Sequence, residues 1–159
     1  MKTIRFVFAL AISWFALGAF AQTPPYGAPI SLENAKKAAA AAAAEARKNN
    51  WQMGIAITDP NGDLIYFERM DNTQIGSINI ALGKARTAAK FKRPSKVFQD
   101  LLAKGDNFTY LLGLEGAMPV QGGLPIVVEG VCVGGIGASG VQSHEDEQIV
   151  AAGIKALGL

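Results

Sequence analysis

The sequence predicts an α+β fold in which a mainly antiparallel sheet is flanked by helices. Three observations carry this. Apolar residues recur at helical spacing in four stretches and at period two in paired stretches separated by turn residues. The stretches run helix, hairpin, two helices, strands, helix, which is not the strict strand–helix alternation of a parallel sheet. At 159 residues, 50% hydrophobic and 18% charged, the chain suits one domain with its own core, and its composition excludes intrinsic disorder.

The first segment stands apart from the fold. Lys2 and Arg5 precede an apolar run from Phe6 to Leu17, broken only by Ser13, and Ala19 and Ala21 then form a small-residue A-x-A site before Gln22. This pattern predicts a secretory signal peptide over residues 1–21 and a periplasmic or secreted protein. The run of about 12 residues is short of the roughly 20 that a spanning helix needs, and no cysteine follows the cleavage point. The whole chain carries 15 Lys+Arg and 13 Asp+Glu, but removing Lys2 and Arg5 leaves the two signs equal. The expected mature protein is neutral and holds no membrane segment. A single cysteine and a single histidine exclude an internal disulfide framework and a Cys/His zinc site. Cys132, between Val131 and Val133, reads as a buried thiol.

Residues 22–30 read as a Pro-rich extended arm, and residues 31–159 as the domain proper. Ser31 caps a first helix that passes through the alanine run 38–44, the strongest helix propensity available, and ends near Asn49-Asn50. Met53, Ile55 and Ile57 then alternate with small residues, Asp59-Pro60-Asn61-Gly62 makes a turn, and Leu64 to Arg69 returns as a second strand. A helix over Ile78–Phe91 is stopped by Pro94, and Ser95 is placed to cap a short helix through Leu102. Phe108 to Leu112 reads as a strand. Leu124–Glu129 and Val131–Ala138 form a strand pair about Glu129-Gly130, and Ser143 caps a last helix whose first turn carries Glu145, Asp146 and Glu147.

Gly135-Ile-Gly-Ala-Ser-Gly140 matches G-x-G-x-x-G, but no strand follows it and no acid is placed for a ribose, so a dinucleotide site is not supported. Glycines 122, 123, 130, 134, 135, 137 and 140 leave room over one face of the sheet. A tightly packed helix or a flat ligand would use that room equally well. Lys84, Arg86, Lys90, Lys92, Arg93 and Lys96 form a basic run without an intervening acid. It lacks the further cations and stacking aromatics of a nucleic-acid surface, so it points to a small anion or to a solvated face. His144, beside three acids at the start of the last helix, reads as a surface residue and not a metal ligand.

Several segments in order carry a resemblance: Glu68-Arg-Met-Asp71 after the hairpin, Gly83-Lys-Ala-Arg-Thr-Ala88, Phe91-Lys-Arg-Pro-Ser95, Pro119-Val-Gln-Gly-Gly-Leu-Pro125 and the Gly130–Gly140 stretch, followed by Asp146 and Ala152-Gly153. Together they resemble the GlcG/HbpS group, also called haem-degrading or DUF336 proteins, from Leu32 to about Leu157. The resemblance implies a profilin-like fold, assembly as a homo-oligomer, and haem binding in some members. It also implies a link to haem sensing or degradation in extracellular members, and a small-molecule lyase activity in at least one. A haem needs an apolar slot and cations for its propionates, and the Gly-rich strands with the Lys84–Lys96 helix are placed to supply them. On this reading Lys84 and Arg86 are candidate propionate contacts and Thr87 a weak candidate iron ligand, with Met70 and Met118 as other candidates. The histidine that some relatives carry in the first helix is absent here. The expectation is therefore an exported haem-binding protein. One alternative is a cofactor-free lyase or isomerase for a small anionic aromatic compound, in which the basic helix holds the carboxylate and Glu68 or Asp71 moves protons. Another is a non-enzymatic partner-binding or sensor module.

Overall fold

The structure, a computed structural model, describes residues 23–159. The expected signal segment and Gln22 lie outside the described residues. Helix α1 (Leu32–Lys48) starts where the Ser31 hydroxyl accepts from the Asn34 N–H at 3.2 Å. Glu33 in its first turn and Arg47 and Lys48 in its last complement the helix dipole. The alanine run gives it a flat side on which Ala35, Ala38, Ala39, Ala42, Ala43 and Ala46 are all fully buried.

Strands β1 (Gly54–Thr58) and β2 (Leu64–Arg69) form the expected hairpin, and Gly62 takes the positive φ of +89° that its turn requires. Helices α2 (Ser77–Phe91) and α3 (Lys96–Leu102) follow. Strands β3 (Gly123–Val128) and β4 (Val131–Ser139) pair about Glu129 and Gly130, both at positive φ (49° and 78°), as a two-residue turn of matching twist demands. Helix α4 (Ser143–Ala156) closes the chain. The four strands make one antiparallel sheet in the order β2-β1-β4-β3, so the α+β architecture with a central antiparallel sheet is realised.

The sheet has a different covering on each side. Met53, Ile55, Ile57, Ile126 and Ile136 pack with the alanines of α1 and with Ile149 and Val150 of α4. Each such aliphatic side chain, fully buried, contributes about 1.5–3 kcal/mol relative to exposure. On the opposite side α2 lies on the sheet almost without side chains between them. A Cβ on Gly135 would stand 2.3 Å from the Ala85 carbonyl oxygen, and one on Gly137 would stand 2.4 Å from that of Ala81. At Gly123 it would stand 2.2 Å from the oxygen of Lys84. The glycine-rich strands are therefore filled by helix backbone. The slot expected for a flat ligand between α2 and the sheet is closed.

Three local expectations are corrected. Phe108–Leu112 lies in a 3-10 helix over Asp106–Gly113 and not in a strand; its bonds are local, the Phe108 N–H donating to the Gly105 oxygen at 3.0 Å. Ser95 does not cap α3: its hydroxyl donates to the Val120 carbonyl at 2.7 Å and accepts from the Gly123 N–H at 2.9 Å, tying α3 to β3. Ser143 is the first helical residue of α4; the cap is Gln142, whose N–H donates to Glu145 Oε2 at 3.0 Å.

The described part of the arm is extended and docked. Tyr26 bridges Cys132 in parallel, on the side of β4 that β1 has left. The Cys132 N–H donates to Pro25 at 2.8 Å, the Gly27 N–H to Cys132 at 2.9 Å, and the Ile30 N–H to Val133 at 2.8 Å. The Cys132 thiol beneath is fully buried, and burial pushes its pKa up.

Candidate functional site

The basic run on α2 divides by helical phase. Lys84 falls on the stripe of Ala81, Ala85 and Ala88 and goes into the protein, with 1% of its surface exposed. Its ammonium meets Asp146 Oδ2 at 2.5 Å and the Ala138 carbonyl at 3.1 Å, joining α2 to β4 and α4. Burial draws the Lys84 pKa down and pushes that of Asp146 up; each partner opposes the shift of the other. Asp146 is thus no simple dipole acid, and Lys84 is not available to a ligand propionate.

Thr87 is also fully buried. Its hydroxyl donates to the Gly83 carbonyl at 2.8 Å and accepts from the Met118 N–H at 2.6 Å, stapling the loop after the 3-10 helix onto α2. Met118 packs on Gly83, where a Cβ would meet its methyl carbon at 2.7 Å. Met70 packs against the core between the sheet and the α1/α4 layer. Thr87, Met118 and Met70 do not converge on one open position, and the first of them is covered, so the iron-ligand reading of these three finds no shared site.

Arg86 and Lys90 face outward on the other side of the stripe. The Arg86 Nε donates to the Gly62 carbonyl at 2.9 Å, which fixes the guanidinium against the hairpin turn. The Lys90 stem passes between two glycine turns, close to Gly62 and to Gly116. Among the described residues, no carboxylate oxygen comes within 4.0 Å of either cation. Two adjoining depressions share Lys90 and Asn61. One, of about 360 Å³, is a mainly apolar seat made by Tyr26, Gly27, Pro29, Pro60, Asn61 and Lys90. The other, of about 340 Å³, is a polar cleft that adds Arg86 and Gly116, with Asp63 and Glu115 also among its walls. An apolar seat joined to two cations, one of them held, suits a flat ligand with an anionic edge.

Glu68, Met70 and Asp71 come together elsewhere, in a polar bowl of about 390 Å³ beside Arg47 and Arg69. Glu68 is paired with Arg47 at 3.2 Å. The cations in this bowl come from α1 and β2, not from the basic helix, so the expected cooperation of α2 with Glu68 and Asp71 is not formed. Among the described residues, no cluster of His, Cys, Asp and Glu is placed to hold a metal ion, and no helix is long and apolar enough to cross a membrane.

Sequence reasoning missed Tyr26 and Asp146. Asp146 had a faint signal, as the middle one of three consecutive acids where the helix dipole accounts for fewer. Tyr26 had none, since only the parallel docking of the arm brings it to Lys90.

Comparison with known proteins places this geometry in a family. The family described as "Haem degrading protein HbpS-like" matches residues 30–155. Protein GlcG of Escherichia coli K12 is 34% identical over 110 residues, 69% of this chain and 81% of that one. The solved structure of a double mutant of Streptomyces reticuli HbpS is similar with a TM-score of 0.78 and 30% identity, over 99% of this chain and 100% of that one. A complex of PduOC with haem shares the fold at a TM-score of 0.74 and 24% identity, over 80% and 94% of the two chains. The chain belongs to the HbpS-like family of haem-degrading proteins, the GlcG/HbpS or DUF336 group.

Proposed function

We propose that this protein binds haem at its surface, with the macrocycle over the seat of Tyr26, Pro29 and Pro60 and its propionates toward Lys90 and Arg86. The observation that carries the reading is the pair Arg86, fixed by the Gly62 carbonyl, and Lys90, neither with a carboxylate within 4.0 Å among the described residues, at the edge of an apolar depression in a chain of a haem-degrading family. A protein of the same fold crystallised with haem supports it as well. The residues present fit the anionic edge and the flat face of haem. They supply no histidine at the seat, so binding rests on charge and apolar contact and is reversible. Export after removal of residues 1–21, and assembly with further copies of itself, belong to the same proposal.

Titration of the purified protein with haemin, followed in the Soret band, tests this. The expected result is saturable binding that the R86E/K90E double variant weakens about tenfold, through loss of two charge contacts near the surface. Binding unchanged in that variant would remove the assignment. K84E is expected to unfold the protein instead of weakening binding selectively.

A second reading has one observation in its favour, the meeting of Glu68 and Asp71 with Arg47 and Arg69 in the polar bowl. There a cofactor-free lyase or isomerase would hold a small aromatic carboxylate by arginine and move protons by carboxylate. Turnover of a hydroxylaminobenzoate, abolished by E68Q and D71N, would establish it; absence of turnover retires it.

A further inference from the structure

Tyr26 lies in the arm, outside the residues 30–155 that the family matches, and yet it walls the seat. Three contacts hold its ring in place. Pairing with β4 on both sides fixes its backbone, through Pro25 and Gly27 to Cys132. Its phenol donates to the Lys90 carbonyl at the end of α2. The Lys92 ammonium stands over the ring, 4.4 Å from its centroid. Even so, the residue remains 51% exposed.

An exposed aromatic side chain ordinarily loses rotamer freedom when a ligand settles on it. A ring already fixed loses little, so more of the stacking energy appears as affinity. Pro29 and Pro60 are rigid neighbours in the same depression, Lys90 lines it with them, and Lys92 adds a second cation over one face of the ring. Gly27 is part of the device, because a Cβ there would stand 2.3 Å from Val131 Cγ1, so that the valine side chain or the arm would have to shift.

We propose that Tyr26 is the specificity-determining contact of this protein, a prepared stacking platform that selects flat, conjugated, carboxylate-bearing ligands whether or not they contain a metal. The proposal rests on the reading of the seat as the ligand site and extends it. Affinity follows from ring and charge, so a metal-free porphyrin is as good a ligand as haem.

The test is a pair of titrations of the purified protein, one with haemin and one with protoporphyrin IX, followed by absorbance and by porphyrin fluorescence. Both are expected to bind, with dissociation constants within about threefold of each other, since neither stacking nor charge depends on the iron. Y26A is expected to weaken both about tenfold, and Y26F to stay within about threefold of the parent, because the ring persists and only the phenol bond is lost. Circular dichroism establishes that the variants are folded. Should Y26A loosen the arm, Y26L against Y26F separates an aromatic face from mere apolar bulk. Haemin binding without protoporphyrin binding overturns this inference and leaves the haem reading standing. Equal affinity of Y26L, Y26A and Y26F for both ligands overturns it as well. Failure of both ligands to bind the parent protein overturns the haem reading and this one together.

Discussion

A lysine and an aspartate taken fully out of water stabilise a fold only as a pair, and Lys84 and Asp146 are held as one at 2.5 Å. Removing one partner leaves the other charged and uncompensated. D146A and K84M are therefore each expected to destabilise the protein by about 3–5 kcal/mol in urea unfolding. A K84M/D146L double variant should recover most of that loss, and a deficit equal to the sum of the single losses would argue that the two do not act as a pair. Cys132 gives a second expectation at this scale. With its thiol buried and its pKa pushed up by burial, the native protein should react with a thiol reagent at about pH 8 far more slowly than the urea-unfolded chain. The sequence made the inert cysteine legible from its valine neighbours. It did not reveal the role of Lys84, because a run of six cations looks alike whichever of them points inward. The spacing from Ala81 to Lys84 to Ala88 was the signal, since it puts Lys84 on the apolar stripe of α2.

Among the elements, β4 shows most clearly what a sequence leaves open. Its glycines announced empty space above the sheet, and composition alone does not say whether a ligand or a helix backbone fills it. The distances decide for the helix. G137V is accordingly expected to cost more than about 3 kcal/mol in denaturant unfolding, because the new side chain has to displace the Ala81 and Ala85 backbone. G130A, in the exposed turn with nothing within 4 Å, should cost only about 1 kcal/mol for its positive φ. Helices and hairpin strands were readable because their periods, about 3.6 and two, are imposed by burial on one face. The 3-10 helix was not, since Phe108-Thr-Tyr-Leu-Leu112 is rich in strand-prone residues and shows no alternation, and only local bonding fixes it. The caps at Ser95 and Ser143 failed for a related reason. Both serines sit within one residue of the true boundary, and in the fold the hydroxyl of Ser95 finds better partners across the chain.

For the molecule as a whole, the sequence foretold the order of layers and the family, while the place of the proposed site followed only from the docked arm. Export carries its own check: the protein recovered from the periplasm is expected to begin at Gln22, and a start at Met1 would refute the processing. In the proposed processed form, without residues 1–21, the two signs of charge balance, so on the proposed reading a ligand would be drawn by Lys90 and Arg86 locally and not by the bulk field. The contact of α2 with β4 has one more outcome, and it concerns time. A molecule housed between helix and sheet would leave only when those layers part, which is an event of global unfolding in a protein whose layers touch backbone to backbone. Cargo resting outside them departs without disturbing the fold. Its release to an acceptor such as apomyoglobin should then run as a single fast phase, unaffected by moderate denaturant, which is the behaviour of a courier and not of a vault.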